Sequence, residues 1–119
     1  MKFEAITIQN MFAYGGEPST IDLSGCSEER NIVVISGANG AGKTSLLNAI
    51  KLLFLGLNNE ELRRVGLAGS PLTPKQYVNG VSGRWYGVFN NTAGLADTAK
   101  VALSWFDGDG RRVQAVDCR

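Results

Sequence analysis

The stretch VVISGANGAGKTSLLNAIKLLFLG, residues 33–56, decides the fold of this chain. It places two apolar segments on either side of a glycine-rich turn that ends in a lysine and a threonine. A junction between two buried segments does not need that much backbone freedom for packing alone. We therefore interpret the turn as backbone that a negatively charged ligand approaches closely.

Residues 37–44 match the phosphate-loop pattern G-x-x-x-x-G-K-[ST]. Its glycines let the chain curl so that successive N–H groups point inward and form a nest for an anion. A helix that begins directly after the turn adds the positive end of its dipole. The alternative is a glycine turn that merely joins a strand to a helix.

The motif assigns a role to each polar position around a nucleotide. Lys43 is the predicted catalytic cation and reaches the β- and γ-phosphates, Thr44 binds Mg²⁺, and the Ser45 hydroxyl reaches the α-phosphate. The predicted cofactors are therefore ATP and Mg²⁺. The full set of predicted nucleotide-binding residues is Gly37, Ala38, Asn39, Gly40, Ala41, Gly42, Lys43, Thr44 and Ser45.

Hydrophobic patterning predicts the elements that surround this loop. Residues 2–9 alternate as a strand, and residues 19–23 form a second, shorter one. The β-branched run in residues 31–36 predicts a strand that is buried on both faces. Residues 43–55 predict a helix that ends at Gly56, with an apolar face made of Leu46, Ile50, Leu53 and Leu57 and widened by Leu47, Phe54 and Leu55.

The second half of the chain carries clear cap and turn signals. Asn59 predicts the cap of a short helix, and Thr73 with Pro74 predicts the start of another. Residues 98–106 and 111–119 predict a hairpin around the turn at 107–110. Residues 80–96 are ambiguous, because an apolar helical spacing is interrupted by glycines and asparagines.

Composition bounds the possible partners. The chain has 119 residues, which suits one domain or a piece of one, and its net charge of +1 gives no electrostatic footprint for nucleic acid or an anionic membrane. The absence of histidine excludes imidazole ligands and histidine bases within these residues. Cys26 and Cys118 form no metal-ligand or disulfide pattern, and no signal or membrane segment is visible. We expect free thiols and a cytoplasmic protein.

The segments before the loop resemble the heads of the SMC, RecF and RecN superfamily of ATP-binding-cassette ATPases. Those heads begin with a strand, an Asn-Phe-x-x-Tyr-like segment and a second strand, and then carry G-x-N-G-x-G-K-[ST]. This chain shows the matching pieces in order: Ile6-Thr7-Ile8-Gln9-Asn10, Tyr14, Ile21-Asp22-Leu23 and Gly37-Ala38-Asn39-Gly40. The run AIKLLFLG, residues 49–56, looks more like the coiled-coil branch, which includes the DNA-phosphorothioation ATPase DndD and related phage-defence ATPases.

This resemblance implies an α/β fold, the N-terminal lobe of a P-loop NTPase head, with an antiparallel β element before the P-loop helix and a β-hairpin after it. It implies that ATP holds two heads together and that its hydrolysis releases them. The implied partners are DNA, a second head in a homodimer, and defence or DNA-modification subunits, with no membrane. The glutamine loop, signature, Walker B pair and switch histidine of such heads are missing here. We therefore expect residues 1–119 to be one lobe of a split head whose own C-terminal lobe completes the site.

The chain departs from the superfamily at the positions after Asn10. The heads often carry an aromatic and then a basic residue there, whereas this chain has Met11 and Phe12. Phe12 therefore either packs in the core or touches adenine. The segment VALSWFD, which ends at Asp107, resembles a Walker B strand, but the Asp-Gly-Asp-Gly sequence favours a turn.

Three further alternatives stay open from the sequence. The basic pairs Arg63-Arg64 and Arg111-Arg112 are either solvated charges or DNA phosphate contacts, and Trp85 and Trp105 are either core residues or base-stacking platforms. A small-molecule kinase and a non-catalytic nucleotide-sensing module are the rival functions. A GTPase is disfavoured, because no Asn-Lys-x-Asp segment occurs.

Overall fold

An antiparallel sheet of four strands in the order β2-β1-β3-β4 forms the base of the described structure. The computed structural model describes residues 2–38, 40, 42–65, 69–94 and 96–118. The elements in chain order are β1 (Lys2–Gln9), β2 (Ser19–Asp22), α1 (Lys43–Leu55), α2 (Glu60–Arg63), α3 (Pro74–Asn79), β3 (Ala99–Asp107) and β4 (Gly110–Cys118). The predicted strands, helices and hairpin at these positions are confirmed.

Strand β1 lies in the middle of the sheet because it pairs on both sides. Ile6 is the register partner of Ile21 on β2 and of Leu103 on β3. The alternating residues Ile6 and Ile8 are buried, and so are Val101 and Leu103 beside them. Helix α1 packs against β3 and β4. One apolar layer between α1 and the sheet therefore forms the centre of the core.

The buried stripe of α1 consists of Leu46, Ala49, Leu52 and Leu53, which recur at helical spacing. Leu47, Phe54 and Leu55, which we expected to widen the buried face, are instead 47–62% exposed. The helix therefore has an apolar surface on more than one side, and the described residues cover only one of these sides.

The prediction of a buried strand in residues 31–36 is wrong for this structure. The segment is irregular, and Ile32 and Val34 are 83% and 84% exposed. A strand is held by backbone hydrogen bonds to a neighbour, and none of the four described strands pairs with these residues. A β-branched run favours a buried strand position but does not provide the neighbouring strand.

The two short helices are held by the predicted caps. The Asn59 side chain accepts a hydrogen bond from Leu62 N at 3.0 Å. Thr73 and Gln76 form a reciprocal capping box, in which each side chain accepts a hydrogen bond from the other residue's backbone N–H. Because these interactions are local, they could be predicted from the sequence.

The ambiguous residues 80–96 form turns rather than a helix in their described part. Val81 and Trp85 form an isolated bridge, and Met11 pairs with Phe89. Trp85 stacks on Tyr77 at 5.2 Å between ring centroids and donates its indole N–H to the Tyr77 carbonyl at 2.7 Å. Trp85 and Trp105 are both partly buried against the core, as the packing alternative predicted.

Two further features concern the whole described chain. Cys26 and Cys118 are free thiols, half-buried and buried respectively, as expected. Among the helices of the described ranges, none combines the length and the apolar character that crossing a membrane requires.

Candidate phosphate-binding site

No side chain in the described ranges caps the N-terminus of α1. Its N-cap is Gly42, which has a φ of 100° and makes no side-chain capping hydrogen bond, and the first turn contains no acidic residue. The first helical hydrogen bond runs from Leu46 N to Gly42 O at 2.9 Å. The backbone N–H groups of the first turn therefore point out of the helix start, where the positive end of the helix dipole lies.

The structure brings four of the predicted residues together at this point. Gly42, Lys43, Thr44 and Ser45 follow one another through the first turn of α1, with Lys43 and Thr44 exposed and Ser45 half-buried. Both the lysine and the threonine are thus accessible to a ligand at the helix start. Their chemistry fits a nucleotide with Mg²⁺, because Lys43 supplies a cation and Thr44 a hydroxyl oxygen.

The remaining predicted residues lie before the helix. Gly40 has a φ of 85°, a conformation that favours glycine at this position, as the loop motif requires. Gly37 and Ala38 are exposed in the irregular segment. Asn39 and Ala41 lie outside the described residues. The predicted roles of all nine residues stay predictions.

A turn formed by residues 10–16 contacts this helix start. The Tyr14 hydroxyl donates to the Gly42 carbonyl at 3.3 Å, and the Ala13 backbone N–H donates to Ser45 Oγ at 3.2 Å. Sequence reasoning missed both contacts. The sequence places Tyr14 in a segment that resembles the SMC, RecF and RecN heads. Nothing in the local sequence indicates that this tyrosine lies against Gly42.

Phe12 packs in the core. It is 5% exposed and lies edge-on to Trp85 and Tyr86, at 6.2 and 6.4 Å between ring centroids. This position confirms the packing alternative over the adenine contact.

The basic pairs are engaged in protein contacts, with Arg64 the most weakly held. Arg63 donates to the carbonyls of Leu72 and Asn58, at 2.7 and 3.3 Å. Arg111 pairs with Glu4 at 2.9 Å and Arg112 with Asp107 at 3.2 Å. Arg64 makes a longer 3.5 Å ion pair with Glu61. The charges of Arg111 and Arg112 are thus partly neutralised by neighbouring carboxylates, which weakens the DNA-contact alternative.

Asp107 belongs to the predicted turn. Its side chain accepts a hydrogen bond from Asp109 N at 2.8 Å, and its backbone pairs with Gly110 in the hairpin. Its carboxylate is therefore committed to the turn. In the described parts of the chain, no cluster of three or more acidic or cysteine side chains is placed to bind a metal ion.

An open apolar groove of about 860 Å³ lies beside the core. Its lining includes Val33 and Ile35 of the irregular segment, Phe54 of α1, and Phe3 and Phe106 of the sheet. Residues of the predicted strand thus line an uncovered apolar surface, and the chain continues from them into the phosphate loop.

Comparison with known proteins bears on this arrangement. The sequence model of the AAA domain matches residues 5–83, which include the second half of β1, the glycine loop and α1. The chain belongs to the AAA domain family. The comparison with curated proteins found no match to this chain.

The fold of this AAA domain also resembles that of a solved chain described as "Structural biochemistry of ATP-driven dimerization and DNA stimulated activation of SMC ATPases". The two chains share 19% sequence identity with a TM-score of 0.58. The match covers 98% of this chain and 63% of the SMC ATPase chain. The likeness therefore shows a common fold, and this chain spans less than two thirds of the protein it resembles.

Proposed function

We propose that this AAA domain binds ATP with Mg²⁺ at residues 37–45 and takes part in ATP hydrolysis. The observation that carries the proposal is the start of α1, where a glycine with positive φ precedes Lys43 and Thr44, no described side chain caps the helix, and the first turn contains no acidic residue. Phosphate groups bind such helix starts through backbone N–H groups and the helix dipole. Membership of the AAA domain family supports the same assignment.

Each polar residue has a distinct task in this proposal. Lys43 forms charge-assisted hydrogen bonds to the β- and γ-phosphate oxygens and stabilises the charge that moves onto them during transfer. Thr44 holds Mg²⁺, which when bound neutralises phosphate charge and orients the phosphates. Ser45 donates to the α-phosphate. In hydrolysis, water attacks the γ-phosphorus, the bond to the β-γ bridging oxygen breaks, and ADP and phosphate leave.

The group that deprotonates the water is proposed to lie outside residues 1–119. Asp107, the best local candidate, is bound within the hairpin turn. We propose that residues 1–119 are the N-terminal lobe of a split head and that the protein's own C-terminal lobe carries this carboxylate. The exposed Ile32 and Val34, the apolar groove and the 63% coverage of the SMC ATPase chain support a missing lobe.

The same comparison supports a proposal about the larger assembly. The solved SMC ATPase with the similar fold is described as undergoing ATP-driven dimerization and DNA-stimulated activation. We propose that two heads of the present protein associate around ATP, and that DNA and other subunits join through the complete assembly. The finer proposal, a role in DNA modification, repair or phage defence like that of DndD, rests on the resemblance of residues 49–56.

The deciding experiment is calorimetric titration of ATP with Mg²⁺ into the wild-type protein and the Lys43→Ala variant. Loss of the lysine removes hydrogen bonds worth about 1.5–3 kcal/mol. Affinity should therefore fall roughly ten- to a hundredfold. Lys51→Ala is the matched control, because Lys51 is exposed on the same helix two turns later. Unchanged affinity in Lys43→Ala would show that the site is assigned wrongly.

A second measurement separates the proposed activity from its rivals. Phosphate release is followed for residues 1–119 alone and with the C-terminal lobe co-expressed. We expect turnover only in the combined protein. Phosphoryl transfer to a small acceptor would indicate a kinase, and ATP binding without turnover in the combined protein would indicate a sensing module.

A further inference from the structure

The turn at residues 10–16 is held from several directions. Asn10 N donates to Gly15 O at 2.8 Å, and Tyr14 N donates to Met11 O at 2.9 Å. Asn10 and Phe12 both have a φ of 52°, which non-glycine residues adopt rarely. Such conformations persist only where the surrounding contacts fix them. The turn is therefore a rigid part of the structure.

A second segment fixes the turn from the outside. Phe12 N donates to Val88 O at 2.7 Å, and the Asn90 side chain donates to Phe12 O at 2.8 Å. Asn90 N also donates to Asn10 O at 2.9 Å. Residues 88–90 thus hold the backbone of Asn10 and Phe12, the two residues with a φ of 52°. Ala13 and Tyr14 follow directly, so their positions are set by this frame.

Ala13 and Tyr14 make the two contacts to the start of α1. Because Ala13 N–H donates to Ser45 Oγ, the serine oxygen acts as an acceptor there and its own hydrogen is available to donate in another direction. Tyr14 donates to the carbonyl of Gly42, the residue with positive φ that begins the helix. A Cβ on Gly42 would lie 3.4 Å from the Tyr14 hydroxyl, so the tyrosine also lies closely over this glycine.

We propose that the turn at residues 10–16 is a positioning element for the phosphate loop. In it, Tyr14 fixes the backbone of Gly42, and the Ala13 N–H orients Ser45 so that its hydroxyl donates to a bound phosphate. The proposal rests on the proposed nucleotide binding at residues 37–45. Tyr14 and Ala13 act through the loop and are positioning residues, without contact to the ligand.

The first test uses Tyr14→Phe in the full chain, which removes the hydroxyl and keeps the ring. Affinity for ATP with Mg²⁺ should fall about two- to tenfold, as expected for one lost hydrogen bond. Tyr86→Phe is the matched control, since Tyr86 is 68% exposed and its ring stacks on Trp85 rather than on the start of α1. The thermal midpoint of the unliganded protein is measured in parallel. A lower midpoint with unchanged ATP affinity would show a merely structural role.

The second test reads the Ala13–Ser45 hydrogen bond directly. The amide resonance of Ala13 is followed by NMR during titration with ATP and Mg²⁺, in the wild type, Ser45→Thr and Ser45→Ala. We expect it to move on binding in the wild type and in Ser45→Thr, which keeps the acceptor oxygen, and to stay in place in Ser45→Ala. An Ala13 resonance that does not respond to ATP in the wild type would overturn the proposal.

The two proposals fail in distinguishable ways. If Lys43→Ala loses ATP binding while Tyr14→Phe matches the wild type and the Ala13 resonance stays in place, the site stands and the positioning role is wrong. If Lys43→Ala keeps its ATP affinity, the proposed nucleotide site is wrong and the positioning proposal falls with it.

Discussion

Gly80 and Gly87 face each other backbone to backbone. A Cβ on Gly80 would lie 3.2 Å from Gly87 N, and a Cβ on Gly87 would lie 3.0 Å from Gly80 N and 2.9 Å from the Val78 carbonyl oxygen. Both glycines also have positive φ, at 89° and 87°. This close approach fixes the segment that continues into Val88, whose carbonyl binds the Phe12 N–H.

Replacing Gly87 with alanine should destabilise the fold strongly. The methyl group would meet backbone atoms that cannot move aside, in addition to the cost of positive φ. We expect a loss of at least about 2 kcal/mol in the free energy of unfolding, measured by urea denaturation. Gly83→Ala is the control, because Gly83 has a φ of 76° but nothing within 4 Å of its added Cβ. It should cost only about 1 kcal/mol. Equal losses in the two variants would contradict the packing argument.

Thr44→Ala should change the metal dependence of nucleotide binding. The variant keeps Lys43 and the backbone N–H groups, so some affinity for metal-free ATP should remain. The gain in affinity on adding Mg²⁺ should largely disappear, because the hydroxyl ligand is gone. Titrations with Mg²⁺ and with a chelator give both values. If both affinities fall by the same factor, Thr44 has a role other than metal binding.

Polar substitutions in the exposed apolar segment 31–36 should reduce association with the C-terminal lobe without lowering the stability of residues 1–119. In residues 1–119, Ile32→Thr with Val34→Thr should leave the thermal midpoint nearly unchanged, because both side chains are more than 80% exposed. The same pair should reduce association with the C-terminal lobe in a co-purification experiment. Thr20→Ser, at another exposed position, is the control. A large drop in the midpoint would mean that the run is buried in the isolated chain.

The buried thiol of Cys118 predicts a pH dependence of stability. Burial, with a smaller effect of Asp117, raises the pKa of Cys118 from 9.0 to about 11. Between these values the unfolded chain releases a proton that the folded chain keeps. This contribution to stability is therefore complete below pH 9 and is lost as the pH rises toward 11. Burial likewise raises the pKa of Tyr77 from 10.0 to about 12, which adds a second loss at higher pH.

Urea denaturation from pH 8 to 11 checks this dependence. The free energy of unfolding should fall more steeply with pH in the wild type than in Cys118→Ala, which has no thiol to titrate at this position. The slopes are compared, because the substitution also removes buried atoms. Parallel profiles would contradict the prediction.

Local signals account for what could be predicted from the sequence. The helix at 43–55, the caps at Asn59 and Thr73 and the turn at Asp107 depend on neighbouring residues, and the structure places them as predicted. The strand at 31–36 depends on partners elsewhere, so its composition could not decide the outcome. The contact between Tyr14 and Gly42 joins distant parts of the chain through one hydroxyl, and no local pattern indicates it.

The order of the strands in the sheet has a consequence for the order in which parts of the chain fold. β1 with β2 and β3 with β4 are pairs of strands close in sequence, whereas β1 meets β3 through partners such as Ile6 and Leu103. Closing that distant pair places the whole phosphate loop inside one large chain loop, so we expect this pairing to be the slow step. During synthesis the loop residues emerge before β3 exists. We therefore expect the nucleotide site to form late, after Asp107 has emerged and the two strand pairs have joined.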